Sequence, residues 1–337
     1  MKTILVTGGA GYIGSHTVVE LIQAGYRPVI LDSFENSDHS VLDGIKTITG
    51  QNVTYYEGDY QDTALVEQII GKESINGVIH FAAYKYVGES VADPLKYYQN
   101  NVSGFVSLLQ TLSKHKVNNF IFSSSAAIYG TPPTDKVTEE TQPHPESPYG
   151  WSKYMDEIVL RDTCAAQPDM TGIALRYFNV VGSHESAIIG ESPKVTPQNL
   201  LPLVIRAVTG QMPHLTVHGN DYSTPDGTCL RDYVHVVDLA QAHVAALQKS
   251  FAKAAGGYTV YNIGTSHPTS VLELIQAFER VNNAKVPYQL GPRRPGDPMA
   301  YYAIADKAEQ ELGWKASKTV EDAVRDSWRW QQTLTQK

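Results

Sequence analysis

A tyrosine and a lysine spaced one helical turn apart, Tyr149 and Lys153, are suited to acid/base chemistry. A phenol in water has a pKa of about 10, and a neighbouring ammonium group favours the phenolate and lowers that pKa. A tyrosine in this state can act as a general base at neutral pH. Because the chain has 20 Tyr, such a pair is expected about once by chance, so its position in the fold must carry the argument.

A run of serines and alanines, SSSAA at residues 123–127, lies upstream of this pair and ends a predicted strand. A hydroxyl at the C-terminal end of a parallel strand lies in the crevice where α/β sheets bind ligands. Ser125 could there hydrogen-bond the oxygen that reacts. The alternative interpretation is that the serines cap the backbone at the end of the strand.

The elements that must position these groups alternate along the first half of the chain. Short apolar runs predict strands at 3–7, 28–32, 53–56, 77–82, 119–124 and 172–178. Apolar residues three and four apart predict helices at 16–24, 64–70, 102–114, 236–249, 271–281 and 320–333. This alternation is typical of an α/β fold, a Rossmann-type doubly wound parallel sheet.

The character of the sequence changes after about residue 178. Long stretches rich in Gly, Pro, Ser and Asp occupy residues 182–202 and 219–228. We therefore expect a Rossmann-type domain over 1–178, also taking in about 230–262, and a smaller mixed α/β C-terminal domain over 179–337, interrupted by that segment.

Three spaced glycines, Gly8, Gly11 and Gly14, follow the first strand and lead into a helix. Glycine allows the tight turn and lets backbone N–H groups approach a pyrophosphate, which the helix N-terminus also attracts. Asp32 ends the second strand, where a carboxylate accepts ribose hydroxyls and repels a 2′-phosphate, so NAD is favoured over NADP. Asp59 ends the third strand at the same edge. A plain turn and solvated strand-end carboxylates remain the alternatives.

Composition excludes several other classes of protein. The net charge of −8 argues against a nucleic-acid or anionic-membrane partner, and no apolar run is long enough for a signal peptide or a membrane span. The two cysteines, Cys164 and Cys229, lie far apart, which favours a cytoplasmic protein. The histidines form no metal-binding pattern, so no metal is expected.

Eight stretches together resemble a known family along almost the whole chain. They are TGGAGYIGSH (7–16), HFAAYKYVGES (80–90), NNV (100–102), FSSSAAIYG (122–130), SPYGWSK (147–153), RYFN (176–179), RDYVHVVDL (231–239) and PRRPGD (292–297). The chain resembles the UDP-galactose (UDP-glucose) 4-epimerase family of the extended short-chain dehydrogenase/reductase superfamily. The resemblance implies a homodimeric isomerase of galactose metabolism that pairs through helices at about 94–114 and 149–164.

The resemblance also implies a mechanism with tightly bound NAD. Tyr149 takes the proton of the sugar 4-hydroxyl while hydride passes from C4 to NAD⁺. The 4-keto sugar then turns over while its UDP moiety stays anchored, and hydride returns to the opposite face. UDP-galactose and UDP-glucose are thereby interconverted without net oxidation.

Individual residues take their implied roles from matching positions. Ser125, Tyr149 and Lys153 are implied to be catalytic, with Lys153 lowering the pKa of Tyr149. The implied cofactor-binding residues are Gly8, Gly11, Tyr12, Ile13, Gly14, Asp32, Asn36, Ser37, Asp59, Phe81, Ala82, Lys85, Asn100, Tyr149, Lys153 and Tyr177. The implied substrate-binding residues are Lys85, Ser125, Tyr149, Phe178, Asn179, Asn199, Leu200, Thr216, His218, Arg231, Arg294, Asp297 and Tyr301.

Three positions depart from the family pattern, and a fourth bears on specificity. Ala127 stands where the family commonly has Thr, Val180 where Pro is usual, and His218 where Phe or Tyr is common near the uracil. Tyr301 matches a bulky residue that narrows the hexose pocket. The resemblance therefore implies a strong preference for UDP-glucose and UDP-galactose over N-acetylated sugars.

Other functions remain to be weighed against the epimerase. A nucleotide-sugar 4,6-dehydratase on the same scaffold needs an additional acid/base pair, typically Asp-Glu after the strand-end serine or threonine, and here those positions read Ala126-Ala127. A non-catalytic NAD-sensing protein typically loses the Tyr/Lys pair, which this chain keeps. A net reductase would need a continuous supply of NADH.

Overall fold

The computed structural model describes residues 1–194, 197–294 and 298–335, and over them strands and helices alternate as predicted. In chain order the strands are β1 (Thr3–Thr7), β2 (Arg27–Asp32), β3 (Thr54–Glu57), β4 (Ile75–His80), β5 (Asn119–Ser123), β6 (Lys136–Val137), β7 (Thr171–Tyr177), β8 (Asn179–Val181), β9 (Leu215–His218), β10 (Leu230–Arg231), β11 (Tyr233–His235), β12 (Gly257–Ile263), β13 (Thr269–Ser270), β14 (Tyr288–Gly291) and β15 (Ala300–Ala303). The helices are α1 (Tyr12–Gln23), α2 (Ser40–Thr49), α3 (Thr63–Glu73), α4 (Val87–Ala92), α5 (Pro94–Tyr97), α6 (Gly104–Lys114), α7 (Pro148–Ala166), α8 (Leu200–Val208), α9 (Val236–Ala252), α10 (Val271–Asn282), α11 (Asp306–Leu312) and α12 (Val320–Thr335). A π-helical segment, Tyr98–Ser103, precedes α6, and a 3₁₀ turn, Ala126–Tyr129, follows β5.

The central sheet of the described residues has seven strands in the order β12-β7-β5-β4-β1-β2-β3. Every pair of neighbours in it is parallel. The strand order reverses between β1 and β4, and in such sheets the crevice outside the strand ends at this point binds dinucleotides. The prediction of a Rossmann-type doubly wound sheet is confirmed.

Alternating side chains of β1 enter two separate cores, because successive residues of a strand point to opposite faces. Ile4 and Val6 belong to a buried cluster that includes Val18 of α1. Leu5 belongs to a second buried cluster that includes Leu108 of α6 and is fully shielded from solvent. Helices therefore cover both faces, which explains why the strands read as continuous apolar runs.

The C-terminal part has its own core and a smaller sheet in the order β13-β10-β15-β6. Its core cluster draws on α8, α10 and α12, with Phe278 and Val324 fully buried. α10 begins with a capping box, in which Ser270 and Glu273 exchange side-chain to backbone hydrogen bonds. The chain crosses between the two sheets in both directions, because β6 precedes β7 and β12 follows β10.

Two predicted boundaries at the functional edge were wrong by two residues or more. The strand predicted at 77–82 ends at His80, because the N–H groups of Phe81 and Ala82 both donate to the carbonyl of Thr7, at 2.9 and 3.2 Å. The helix predicted from residue 16 begins at Tyr12, directly after the glycine turn. In the described part of the chain, no helix is both long and apolar enough to cross a membrane.

Candidate active site

The first strand ends in a glycine turn whose backbone leaves no space for side chains. Gly8 has φ +70°, and a Cβ built on it would lie 2.8 Å from the backbone nitrogen of Ala82. A Cβ on Gly14 would lie 2.2 Å from the carbonyl oxygen of Gly8. Gly11 is the N-cap of α1 and brings no capping side chain. The first-turn N–H groups of α1 can therefore meet an anion at the positive end of the helix.

The other predicted cofactor-binding residues of this edge open α1 or follow neighbouring strands. Those on α1 and after β2, β3 and β4 are Tyr12, Ile13, Asn36, Ser37, Asp59, Phe81, Ala82 and Lys85. Asn100 lies in the π-helical segment, and Tyr177 is the last residue of β7. All of them belong to elements that meet at the C-terminal edge of the central sheet, apart from Asn100, which precedes α6.

Asp32 ties the glycine turn to the loop after β2. Its carboxylate accepts hydrogen bonds from the backbone N–H of Ala10 at 2.9 Å and of Phe34 at 2.9 Å. The hydroxyl of Ser37 donates to it at 3.1 Å, whereas Asn36 is exposed. Each carboxylate oxygen offers more than one acceptor site, so the group can hold this loop and still accept a ribose hydroxyl.

Asp59 and Asn100 are linked through one intervening glutamine. Asp59 accepts from the backbone N–H of Gln61 at 2.9 Å and from its side-chain amide at 3.1 Å. The same amide donates to the side-chain oxygen of Asn100 at 3.2 Å. The carboxylate predicted as a possible solvated strand end is therefore part of a network that orders the loop after β3.

The three predicted catalytic residues come from two adjacent elements and are all buried. Tyr149 and Lys153 lie one turn apart near the start of α7, which Ser147 caps through a 3.1 Å hydrogen bond from the N–H of Gly150. Ser125 follows β5, and its hydroxyl oxygen accepts from the N–H of Ala127 at 3.1 Å. Their exposures are 7% for Tyr149, 3% for Lys153 and 9% for Ser125. The strand-end serine therefore caps the backbone and also lies with the tyrosine.

Lys153 is fixed by the end of the neighbouring strand. Its ammonium group donates to the carbonyl oxygen of Ser123 at 2.9 Å and lies 4.6 Å from the ring centroid of Phe122. Burial lowers the pKa of Lys153 to about 8, and the nearby carboxylates of Asp156 and Glu157 oppose that shift. The lysine is thus held inside the protein, where its ammonium form is less stable than in water.

The pKa of Tyr149 differs from the sequence expectation. Burial raises the pKa of Tyr149 well above its ordinary value, and Tyr177 adds to the increase. A hydrogen bond with Ser125 acts in the opposite direction but is outweighed. The predicted lowering of this pKa is not the net result in the chain by itself, because removing a phenolate from water costs more than the hydrogen bond with Ser125 returns.

Tyr301, which is predicted to narrow the hexose pocket, links the segment after Ser125 to other predicted substrate-binding residues. The hydroxyl of Tyr301 donates to the carbonyl of Ala126, and its ring centroid lies 4.9 Å from that of Phe178. Tyr301 in β15 is the register partner of Arg231 in β10. Arg231 donates to the carbonyls of Leu230 and Pro298, at 2.6 and 3.0 Å.

The other predicted UDP-binding residues lie on the edges of the C-terminal elements. Asn179 opens β8, Asn199 is the N-cap of α8, which starts at Leu200, and β9 carries Thr216 and His218. His218 lies 3.3 Å from the carbonyl oxygen of Pro292, through Nδ1. Arg294 is exposed, and Asp297 lies outside the described residues.

Two features of the site had no signal in the sequence. The first is a buried network in which Ser124 donates to Glu157 at 2.5 Å and Arg176 to Glu157 at 2.6 Å. The second is the carboxylate of Glu191, which lies 3.8 Å from the ammonium of Lys85. Both join residues far apart in sequence. Among the described residues, no group of three His, Cys, Asp or Glu side chains could hold a metal ion.

Comparisons with known proteins agree with this geometry. The family model described as GDP-mannose 4,6 dehydratase matches residues 5–327. The UDP-glucose 4-epimerase of Haemophilus influenzae is 49% identical over 329 residues, which are 97% of each chain.

Two solved structures are similar over nearly their full length. The UDP-glucose 4-epimerase of Bifidobacterium longum, in complex with NAD⁺ and UDP, has a TM-score of 0.93 at 48% identity and covers 98% of both chains. That of Stenotrophomonas maltophila, with bound NAD and formylated UDP-arabinopyranose, has a TM-score of 0.97 at 44% identity, over 100% of this chain and 99% of the other. The chain belongs to the UDP-glucose 4-epimerase family of the extended short-chain dehydrogenases/reductases.

Proposed function

We propose that this protein is an isomerase that interconverts UDP-galactose and UDP-glucose by inverting C4 of the hexose. The observation that carries the proposal is the buried group of Ser125, Tyr149 and Lys153 at the same edge of the doubly wound sheet as the glycine turn. When bound, NAD⁺ would accept hydride from C4, return it to the opposite face and add a positive charge near the phenol. Tyr149 then carries the proton of the 4-hydroxyl out and back within one turnover.

The residues around the glycine turn fit a dinucleotide. The contacts that a Cβ on Gly8 or Gly14 would make show that the turn is as tight as close approach to a pyrophosphate requires. Asp32 offers a carboxylate at the end of β2, which accepts ribose hydroxyls and repels a 2′-phosphate. NAD is therefore the proposed cofactor, held between α1 and the loops that follow β2, β3 and β4.

The protein's own groups prepare Tyr149 for proton transfer. Burial opposes ionisation of the phenol, so a base at this position requires cations and donors nearby. Lys153 is anchored on the carbonyl of Ser123, and Ser125 hydrogen-bonds Tyr149. These two residues orient the base and stabilise its charged form while the substrate is in place.

The UDP moiety is proposed to lie over the C-terminal elements. Arg231 and Arg294 suit pyrophosphate oxygens, because a guanidinium group donates in a fork. The residues proposed to hold the rest of the nucleotide are Phe178, Asn179, Asn199, Leu200, Thr216, His218 and Asp297. Anchoring UDP in this way leaves the hexose free to turn between the two hydride transfers.

Dehydration is not favoured. A 4,6-dehydratase needs a further acid/base pair where this chain has Ala126 and Ala127, which open the 3₁₀ turn after Ser125. Neither methyl group can transfer a proton. A non-catalytic role does not fit the retained tyrosine and lysine.

A homodimer is also part of the proposal. Large apolar side chains are exposed on α4, α5 and α7, among them Val91 at 64%, Leu95 at 77% and Trp151 at 41%. A cluster of this kind marks a protein–protein interface, and α5 and α7 lie within the helices expected to pair.

We further place the enzyme in the galactose metabolism of the cytoplasm. Its two cysteines, Cys164 and Cys229, are both buried and are not joined in a disulfide. Thiols kept out of disulfides suit a reducing compartment.

A coupled assay with UDP-galactose and no added NAD tests the function directly. Formation of UDP-glucose would show both the reaction and a retained cofactor, whereas a 4-keto-6-deoxy product would identify a dehydratase. Tyr149→Phe should keep bound NAD and lose turnover by about 100-fold or more. Tyr154→Phe, on the same helix, is the matched control and should turn over normally. A near-normal rate for Tyr149→Phe would mean that another group is the base.

A further inference from the structure

The segment 182–194, which we name the strap, runs from the end of β8 across the edge of the central sheet that carries the glycine turn. It contacts three of the proposed cofactor-binding segments. The hydroxyl of Tyr12 donates to the carbonyl of Gly182 at 2.5 Å. Glu191 lies 3.8 Å from Lys85, and the ammonium of Lys194 donates to the carbonyl of Phe34 at 2.8 Å. The strap thus contacts the start of α1 and the loops after β2 and β4.

The middle of the strap is part of the hydrophobic core of the first domain. Ile189 is 2% exposed and belongs to the same cluster as Ile45 of α2. A Cβ built on Gly44 would lie 2.6 Å from Cγ2 of Ile189, so that side chain fits directly against the helix backbone. The strap is therefore attached to the nucleotide-binding domain by packing as well as by polar contacts.

The last helix of the chain holds the strap from the other side. The indole N–H of Trp330 in α12 donates to the carbonyl of Glu191 at 3.0 Å. A Cβ on Gly190 would lie 2.5 Å from Cδ1 of Trp330, so the strap backbone is packed on that ring. Thr333 donates to the carbonyl of Ala187 at 3.3 Å.

Glu191 is the unusual group of the strap. Its carboxylate side chain is only 15% exposed. It forms an ion pair with the ammonium group of Lys85. Burial raises its pKa, and Lys85 acts in the opposite direction. A buried carboxylate is costly unless a cation compensates it, so the pair ties the strap to the loop after β4.

We infer that the strap is a retention device for NAD, with Glu191 and Lys194 as its positioning residues. This inference rests on the proposed function. A dinucleotide in the crevice at the switch between β1 and β4 would lie beneath residues 182–194, so it could leave only after the strap has lifted. Lifting breaks the contacts to Tyr12, Lys85 and the carbonyl of Phe34, which slows release.

The two positioning residues carry opposite charges. Substituting each of them therefore distinguishes an effect of the strap on NAD release from an effect of charge alone. If charge near the anionic cofactor decided its release, Lys194→Met would speed release and Glu191→Gln would slow it. If the strap decides it, both substitutions speed release, because each removes one attachment. Trp330→Phe gives a third variant without any change of charge, since it removes the donor to the Glu191 carbonyl.

The experiment follows bound NAD in the purified enzyme. Protein is diluted into buffer with an excess of an NAD-hydrolysing enzyme, recovered at intervals by gel filtration, and denatured to measure the nucleotide that it retained. We expect Glu191→Gln and Lys194→Met each to shorten the half-life of bound NAD about tenfold, equal to about 1.4 kcal/mol, and Trp330→Phe to shorten it too. Glu185→Gln is the matched control, because Glu185 lies on the strap but its side chain is 70% exposed, so its 3.3 Å pair with Lys318 should contribute little to the attachment.

The results separate the inference from the function that it rests on. If the wild-type protein contains no nucleotide, both the proposed cofactor and the inference about the strap are contradicted. Wild-type protein that retains NAD, with both variants retaining it equally long, would overturn the strap alone. Opposite effects of the two substitutions, or a control that releases NAD as fast as Glu191→Gln, would overturn it as well. Melting temperatures of the variants close to wild type support a local effect.

Discussion

Removing Arg176 should destabilise the protein far more than removing an exposed arginine with a similar ion-pair distance. Arg176 and Glu157 form a 2.6 Å ion pair whose side chains are 6% and 3% exposed. Arg176 also donates to the hydroxyl of Tyr129 at 2.8 Å, and Ser124 donates to Glu157. Arg176→Met would leave the carboxylate buried without its cation, although the methionine fills similar space.

The expected magnitude follows from burial and chain length. Removing one partner of a buried pair costs about 3–5 kcal/mol, whereas an exposed pair contributes about 1 kcal/mol or less. An unfolding entropy of about 2.1 cal/mol/K per residue over 337 residues gives about 0.7 kcal/mol/K. Arg176→Met should therefore lower the melting temperature by about 4–7 °C.

The assay is calorimetric unfolding of wild type, Arg176→Met and a matched control at one NAD concentration. Arg280→Met is the control, because Arg280 pairs with Glu321 at 2.7 Å while the two side chains are 62% and 48% exposed. It should shift the melting temperature by about 1 °C at most. Equal shifts for the two variants would refute the reasoning that burial decides the cost.

Three further predictions concern specificity, assembly and pH. Tyr301→Ser should raise kcat/KM for UDP-N-acetylglucosamine, which the wild type should use poorly; comparable wild-type values for both sugars would contradict the assignment of Tyr301. Leu95→Glu should convert the dimer to a monomer in light scattering, and Tyr288→Glu, also at an exposed apolar residue, should not. The pKa of Lys153 is about 8 in the fold, below its unfolded value, so the unfolded state binds more protons between these values. The measurement is the difference in unfolding free energy between wild type and Lys153→Met, both free of nucleotide. This difference should rise by up to about 3 kcal/mol from pH 8 to above pH 10.5. A difference that does not change with pH would contradict the effect of burial.

The parts of the fold that local pattern determines were predictable. β1 was predicted at its observed bounds, because an apolar run rich in β-branched residues and followed by spaced glycines predicts a buried strand that ends in a turn. The start of α6 was placed two residues early, at 102 and not at Gly104, because the π-helical segment before it follows a similar spacing of apolar residues. Boundaries depend on which backbone groups find partners elsewhere in the chain.

The identity of the candidate catalytic residues was predictable, but their pKa values and buried partners were not. Motif and resemblance pointed to Tyr149, Lys153 and Ser125, and the structure places them together in a buried position. The direction of the Tyr149 pKa depends on how much water the surrounding residues exclude, which no local spacing reports. Glu157 and Glu191 were not predicted as site residues, because each pairs with a residue that is distant in the sequence and no local spacing indicates such a contact.

The position of β12 has a consequence for how the protein is made. This strand pairs with β7 and closes one side of the nucleotide-binding sheet, and α9, which packs against β5 and β7, immediately precedes it. Both emerge from the ribosome only after residues 179–235, which carry β8 to β11 and α8, have been synthesised. Until then β7 is an open edge, and Ile121 and Ile173, which share a buried cluster with Leu239 of α9, lack part of their cover, so the nascent first domain exposes surface that other chains can bind. Completion of the cofactor-binding half is thereby coupled to synthesis of the substrate-binding half.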